Sequence, residues 1–508
     1  MTLLNLRSLG ITLGTPLFSG LDLTITKGDR LGLIAANGRG KSTLLNVISG
    51  AAEPTSGDVT RGRGLKIGHM EQNVPEEIAG LTAHAAILTG LDPETAEYES
   101  WRADILLDDL AVPMELRERP VGELSGGWQR LVLLGRTAVG EPDLILMDEP
   151  TNHLDLARIG LLERWIAAQP RDLALILASH DRAFLDAVTN RTLFLRPEAS
   201  RDFALPYSHA RVSLDEADEA DGRRFDNEMK KAAQLRKQAA KLNNIGINSG
   251  SDLLVKKTKQ LKERAAKVEE AARPRHKEGT AGAIRLANSG THAKALVSLD
   301  DAEIVTPDGR ALFNTGKVWI NKGDRIVLLG ANGTGKTRLM TRLAGVFGGA
   351  EDAAIRVTPS VVPGISDQHL SQIDETLTPM QIVAGRFDIG DARARAALAG
   401  AGMDVRLQTT QAAALSGGQK ARLAMLVLRL SQPNFYLLDE PTNHLDIDGQ
   451  EALESEIVGR GATCLLVSHD RSFVRAVATR FWQVERRRLI EVESPEPFFA
   501  EALEEAAG

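Results

Sequence analysis

Four short motifs occur twice along the 508 residues, in the same order and at nearly the same displacement. Ala-Asn-Gly-Arg-Gly-Lys-Ser ends at Ser42, and Ala-Asn-Gly-Thr-Gly-Lys-Thr ends 295 residues later at Thr337. Leu-Ser-Gly-Gly runs from Leu124 to Gly127 and from Leu415 to Gly418, and Asp-Glu-Pro-Thr-Asn-His-Leu-Asp starts at Asp148 and at Asp439, both displaced by 291. Ser-His-Asp-Arg follows from Ser179 and from Ser468, displaced by 289. Chance does not order four motifs this way, so the chain carries two copies of a domain of about 200 residues. Whatever fold accepts one copy must accept the other.

Within each copy, short apolar runs rich in Leu, Ile and Val alternate with longer amphipathic stretches. That pattern predicts an α/β fold, a mainly parallel sheet covered by helices. Arg30 to Ala35 reads as a strand leading into the first glycine loop, followed by a helix from Ser42 to Ser49 that stops at Gly50. Arg325 to Leu329 and Arg338 to Ala344, ending at Gly345, repeat the arrangement. The expected division is a first domain over 1–199, a helical insert over 200–295 and a second domain over 296–508.

The insert has a different period. Phe225, Met229, Ala232, Ala239 and Leu242 form one stripe, and Leu254, Thr258, Leu261, Ala265, Val268 and Ala272 follow 4,3,4,3,4 spacing. Two antiparallel helices in a coiled coil are predicted, separated by the Asn-, Gly- and Ser-rich stretch Asn243 to Ser251, with Ser251 capping the second helix and Pro274 closing it. Although the whole chain carries a formal −7, residues 223–277 hold sixteen Lys or Arg against six Asp or Glu. This local excess suits a polyanion.

A glycine loop between a strand and a helix can wrap a phosphate with inward-pointing amides, and the helix N-terminus adds positive potential. Ala35, Asn37, Gly38, Gly40, Lys41, Ser42 and Thr43 form one such loop, and Gly330, Asn332, Gly333, Gly335, Lys336 and Thr337 the other. Ala35 stands where a leading glycine is usual. Lys41 and Lys336 are expected to hold β and γ phosphates, and the hydroxyls of Ser42 and Thr337 to ligate magnesium. At the end of an apolar strand, adjacent carboxylates divide the work: Asp148 and Asp439 for the metal and its waters, Glu149 and Glu440 as general bases on the attacking water. His180 and His469, each at the end of another apolar strand, are placed to reach the γ phosphate and that water.

Leu-Ser-Gly-Gly, and the order glycine loop, Gln, signature, Asp-Glu, His, resemble the ATP-binding cassette (ABC) ATPases. The resemblance implies ATP and Mg2+ as cofactors and composite sites, in which the signature of one cassette completes the site of the other. Ser416, Gly417 and Gly418 would complete the site of Lys41, and Ser125, Gly126 and Gly127 that of Lys336. Gln72 and Gln368 match the magnesium-contacting Q-loop, and Asp155 and Asp446 the interfacial D-loop. Leu13 and Thr306 to Pro307 occupy the places where an aromatic usually stacks on adenine, so GTP is expected to compete with ATP. Two cassettes on one chain, Leu-Ser-Gly-Gly-Trp128, and Asp-Glu-Pro-Thr-Asn-His-Leu-Asp in both copies look like the ABC-F branch in particular. That branch implies a ribosomal partner at the tRNA exit site, with rRNA and peptidyl-site tRNA met through the basic linker at 223–277. The purpose there ranges over stall rescue, assembly, energy sensing and antibiotic resistance. The roughly 50 residues between Gln72 and Ser125 leave little room for the extra arm some members carry, which argues against contact with the ribosomal stalk region.

Apolar runs such as Leu144 to Met147 are far shorter than the roughly 20 residues a membrane helix needs, so no membrane insertion is expected. Met1 to Asn5 followed by Arg7 reads as strand rather than as a signal or transit segment, and a cytoplasmic monomer with intramolecular cassette pairing is predicted. The single cysteine, Cys464, lies in an apolar strand and reads as core. The alternative is the energising subunit of a separate membrane transporter, and a DNA-repair or chromosome-organising ATPase is the third class. Neither zinc cysteines nor a far longer coiled coil supports the last.

Overall fold

The computed structural model describes residues 1–152, 154–249, 252–272, 282–291 and 293–504. Each cassette is built on a parallel sheet with the same strand order. In the first, Ile67–Met70, Leu144–Asp148, Ala174–Ala178, Arg30–Ile34 and Arg191–Phe194 lie side by side and parallel, and Arg201–Phe203 adds an antiparallel edge. In the second, the order is Pro363–Ser366, Phe435–Asp439, Thr463–Val467, Arg325–Leu329 and Arg480–Glu485, followed by antiparallel Arg488–Val492. Ala311–Asn314 and Glu303–Val305 extend that edge further. The central strands are buried along their whole length, as parallel strands covered on both faces must be, which is why they read as unbroken apolar runs. Cys464 is a fully buried member of one of them.

Three antiparallel strands flank each parallel sheet: Thr15–Thr26, Thr2–Leu13 and Ser56–Arg61 in the first cassette, Lys317–Asn321, Ala295–Asp300 and Ile355–Val357 in the second. The helices Lys41–Ser49 and Lys336–Phe347 begin directly after the glycine loops. Gly40 and Gly335 sit just before these helices at φ of 92° and 103°, a region costly for other residues. A Cβ at either place would also press on Leu17 Cδ1 at 3.1 Å or Leu312 Cδ1 at 2.8 Å. The second helix runs past Gly345 and is capped at Gly348, rather than stopping where predicted. One interior glycine costs about 1 kcal/mol, and burial of Leu339, Met340 and Leu343 offsets it.

The insert is a helical pair, Tyr207–Ser249 and Asp252–Ala272, packed antiparallel with Arg236 paired to Glu269. Of the predicted stripe, Ala232, Ala239, Thr258 and Ala265 are buried, Phe225, Leu242, Leu254, Leu261 and Val268 are half-buried, and Met229 is exposed. The stretch from Asn243 departs from the prediction: the first helix continues through it to Ser249. Once a helix is nucleated, each added residue costs little, so the long segment already formed carries weak formers such as Asn and Gly along. The cap at Ser251 and the stop at Pro274 lie outside the described residues, as does the side chain of Ala272. Among the described residues, no helix is long and apolar enough to cross a membrane.

Candidate functional site

The two cassettes face each other head to tail, and their loops enclose one continuous cavity of about 1420 Å³. Of the predicted residues, Asn37, Gly38, Gly40, Lys41, Ser42, Thr43, Gln72, Asp148, Glu149, Asp155 and His180 line it from the first cassette. Asn332, Gly333, Gly335, Lys336, Thr337, Gln368, Ser416, Gly417, Gly418, Asp439, Glu440 and His469 line it from the second. Leu13, Thr306 and Pro307 reach it as well. Ala35, Gly330 and Asp446 do not line it but bond to residues that do. Ser125, Gly126 and Gly127 are not brought to it.

At the first loop, Lys41 Nζ donates to the Ala35 carbonyl at 3.1 Å, lies 2.7 Å from His180 Nε2 and stands 3.6 Å from Glu149 Oε1. The His180 amide donates to Glu149 Oε2 at 3.2 Å. Burial, reinforced by the Lys41 cation against the pull of Glu149, holds the His180 imidazole below its ordinary pKa, so it is neutral. Glu149 sits at φ 49°, at the end of Leu144–Asp148, and its Oε1 is buried without a hydrogen bond. The cluster is therefore an acceptor, a neutral imidazole and a primary amine aimed at one point.

The second loop repeats it with wider spacing. Lys336 Nζ donates to the Gly330 carbonyl at 2.6 Å and to Ala331 at 3.0 Å, while His469 Nε2 lies 3.5 Å from Glu440 Oε1. Burial pushes the Glu440 carboxyl up to about 8, and burial with the Lys336 charge pushes His469 down to about 4. Glu440 Oε1, like its counterpart, is buried without a hydrogen bond, and Glu440 also has positive φ, 50°. Burial raises the Asp439 pKa against a hydrogen bond from the Thr337 hydroxyl and the charge of Lys336. Gln72 and Gln368 each stand two residues beyond an edge strand, Ile67–Met70 and Pro363–Ser366, which explains their arrival at the cavity.

Contacts between cassettes join these two half-sites unequally. The Asn37 amide donates to Asp446 Oδ2 and its side chain donates to the His444 carbonyl, both at 3.0 Å. Gly418 lies so close that a Cβ would meet Asn37 Nδ2 at 2.7 Å and the His444 carbonyl at 3.0 Å. Across the molecule, Asn332 Nδ2 donates to Asp155 Oδ2 at 3.0 Å as a single bond. Ser416 and Gln419 form a reciprocal capping box, whereas Trp128 replaces that glutamine in the first signature and stacks 4.5 Å from the Arg158 guanidinium. The two signatures thus differ in how they are held.

Several residues that fix this geometry were not singled out in sequence. Arg422 pairs with Asp446 at 3.1 Å, and the Asn37 amide and Arg422 together hold that buried carboxylate below its ordinary pKa although burial alone would raise it. Arg182 pairs with Glu454 and Arg471 with Glu163 at 2.6 Å, each bridging the cassettes. Arg182 and Arg471 are the last residues of the repeated Ser-His-Asp-Arg motif. That repetition was the available signal.

The pattern of the ABC transporter family matches residues 18–152 and 313–443, over half the chain. ABC transporter F family member 5 of Arabidopsis thaliana is 29% identical over 93% of this chain and 73% of its own length. ATP-binding cassette sub-family F member 3 of Rattus norvegicus is 26% identical over 94% of this chain and 70% of its own. The archaeal ribosome recycling factor aABCE1, solved in complex with the ribosomal stalk protein aP1, shares the fold with a TM-score of 0.62 at 17% identity, over 97% of this chain and 92% of that one. Two matched cassettes, with the paired glycine loops, signatures and Asp-Glu carboxylates in their shared order, place the chain in the ABC transporter family as an ATPase with the twin-cassette organisation of its ABC-F relatives.

Proposed function

We propose that this protein is an ATP-gated ribosome-binding factor, a translation factor or ribosome-protection protein acting at the tRNA exit site. The observation that carries the reading is the cross-cassette bond from the Asn37 amide to Asp446, which makes the Lys41 site complete only when the cassettes are together. ATP that binds the closed form better than the open form drives closure, and a nucleotide indifferent to the two would shift nothing. The relatives' shared organisation and the ribosomal setting of the aABCE1 complex support the ribosome as partner.

The residues fit a triphosphate with Mg2+. Lys41 and Lys336 satisfy themselves on loop carbonyls, Glu149 Oε1 and Glu440 Oε1 are buried without a hydrogen bond, and the Thr337 hydroxyl paired with the Asp439 carboxylate suits a hard cation. Bound magnesium would neutralise developing phosphate charge. Ser42, Gln72 and Asp148, and Thr337, Gln368 and Asp439, would hold it. The loop residues from Asn37 to Thr43 and from Asn332 to Thr337 cradle phosphates, and Ser416 to Gly418 close over the Lys41 site. Glu149 and Glu440 take a proton from the attacking water, with His180 and His469 orienting it. Asp155 and Asp446 set the distance between cassettes. The basic pair around 223–277, read as a two-helix coiled coil, is the arm that meets rRNA and tRNA, and the molecule works as a cytoplasmic monomer.

Ribosome co-sedimentation of the Glu149→Gln, Glu440→Gln double variant tests the reading, with ATP, with ADP, and with the linker helices deleted. Pelleting with ATP alone, weakened by linker loss, is expected. A double variant that stays in the supernatant under ATP would overturn it.

A further inference from the structure

Beside the second glycine loop, and sharing Leu312 and Gly333 with the large cavity, lies a smaller one of about 180 Å³ lined also by Arg310, Arg486, Arg487, Val484 and Thr334. Its arginines come from two neighbouring turns. Arg310 closes the turn between Glu303–Val305 and Ala311–Asn314, and Arg486 and Arg487 form the turn between Arg480–Glu485 and Arg488–Val492. The Asn314 amide donates to the Arg487 carbonyl at 3.0 Å, which ties the turns together.

Three features set this cluster apart from an ordinary charged turn. Arg486 and Arg487 both sit at positive φ, 46° and 61°, where a two-residue hairpin turn favours Asn or Gly, so local backbone preference does not account for arginine there. Among the described residues, Arg310 and Arg487 form no ion pair, and Arg486 has only exposed Glu485 at 3.4 Å; Asp308 is the acidic group that acts on Arg310. In the first cassette the matching strand Arg191–Phe194 is followed by Arg196, and that guanidinium is taken by Asp218 at 2.8 and 2.6 Å. The second cassette leaves its arginines open to a ligand.

Both turns also bear on the glycine loop itself. Val484, two residues before Arg486, packs where a Cβ on Gly330 would meet it at 3.4 Å, and Leu312, two residues after Arg310, lies against Gly335. We infer that Arg310, Arg486 and Arg487 form a binding site for backbone phosphates of RNA, set against the outer face of the second glycine loop. The guanidinium forks suit phosphate oxygens and carry no base preference. The choice of RNA rests on the proposed ribosomal function, whereas the phosphate chemistry follows from the arginines.

The test is binding of a short structured RNA to the full chain, followed over a salt series, for the natural protein and for an Arg486→Gly, Arg487→Gly variant. Glycine is at home at both φ values, so the variant keeps the turn while losing the charge. Arg310→Ala serves as a second variant from the other turn. Affinity should fall about tenfold in the double variant and the log-log salt slope should flatten by about one per lost phosphate contact. Unchanged affinity and slope in both variants would overturn the site, while ribosome co-sedimentation of the same variants tests the proposed function independently. Binding of inorganic phosphate or of polyglutamate by the natural protein, with no binding of RNA, would assign the cluster to a free anion or to an acidic protein and also overturn it.

Discussion

Asn37 and Asp446 are 409 positions apart in sequence, yet the amide of one donates to the carboxylate of the other at 3.0 Å. This bond places the D-loop of the second cassette on the glycine loop of the first. Arg422 and the Gly449 amide hold the same carboxylate from its own side. The contact between the cassettes and the proposed phosphate cradle therefore share one loop.

Replacing Asp446 with Asn should weaken closure more than the same change at Asp155, because Asp155 accepts only a side-chain amide across the interface. A hydrogen bond to a charged group contributes about 1.5–3 kcal/mol, so a loss of roughly tenfold or more in ATP turnover is expected at Asp446. Steady-state ATPase rates of the two single variants give the comparison, and equal losses would remove the distinction.

Gly418→Ala should cut turnover by about tenfold while each cassette stays folded, since its Cβ would collide with Asn37 Nδ2 and the His444 carbonyl. The matching Gly127→Ala change meets Arg158 Cδ at 3.0 Å, the middle of a side chain that can move. It should be milder. Turnover numbers paired with thermal melts decide whether the ordering holds.

Without nucleotide, Glu440 is a carboxyl pushed up to about 8 by burial, well above its unfolded value. The folded state then binds the extra proton between about pH 4.5 and 8, so its stability is lost as pH rises through that window. Glu440→Gln removes the penalty. The melting temperature of the variant should pull ahead of the natural protein progressively between about pH 5 and 8, and a constant gap across that range would contradict the assignment.

Arg182 bridges to Glu454 and lies 3.8 Å from Asp470, whose carboxyl burial pushes up to about 6. Removing Arg182 leaves both acids without their cation, at a cost of about 3–5 kcal/mol for a buried pair. Arg182→Ala should destabilise more than Arg182→Ala combined with Glu454→Gln. Chemical denaturation of the single and double variants measures the coupling.

Local features were legible in the sequence because a few neighbouring residues determine them. Gly40 and Gly335 mark a backbone turn, and the apolar strands ending in Asp148 and Asp439 deliver their carboxylates whatever surrounds them. The heptad stripe likewise anticipated burial at Ala232, Ala239, Thr258 and Ala265. Pairings such as Arg182 with Glu454 or Arg471 with Glu163 were not legible, since their partners are 272 and 308 positions away and no periodicity connects them. The stretch from Asn243 misled for a different reason. Its composition favours a turn, but helix propagation from a long, already packed segment outweighed it.

The helix Tyr207–Ser249 starts on the interface, where the Tyr207 hydroxyl donates to Glu451 at 3.2 Å and Arg211 pairs with the same residue at 3.1 Å. Glu451 belongs to Ile447–Gly459, the helix that Asp446 caps, so one end of a beam is bolted to the element that meets the glycine loop. Forty-three residues at 1.5 Å each give that beam a length of about 65 Å. A tilt of about 5° at its foot sweeps the far end through about 6 Å, which turns an adjustment the size of a hydrogen bond into a displacement the size of a nucleotide base.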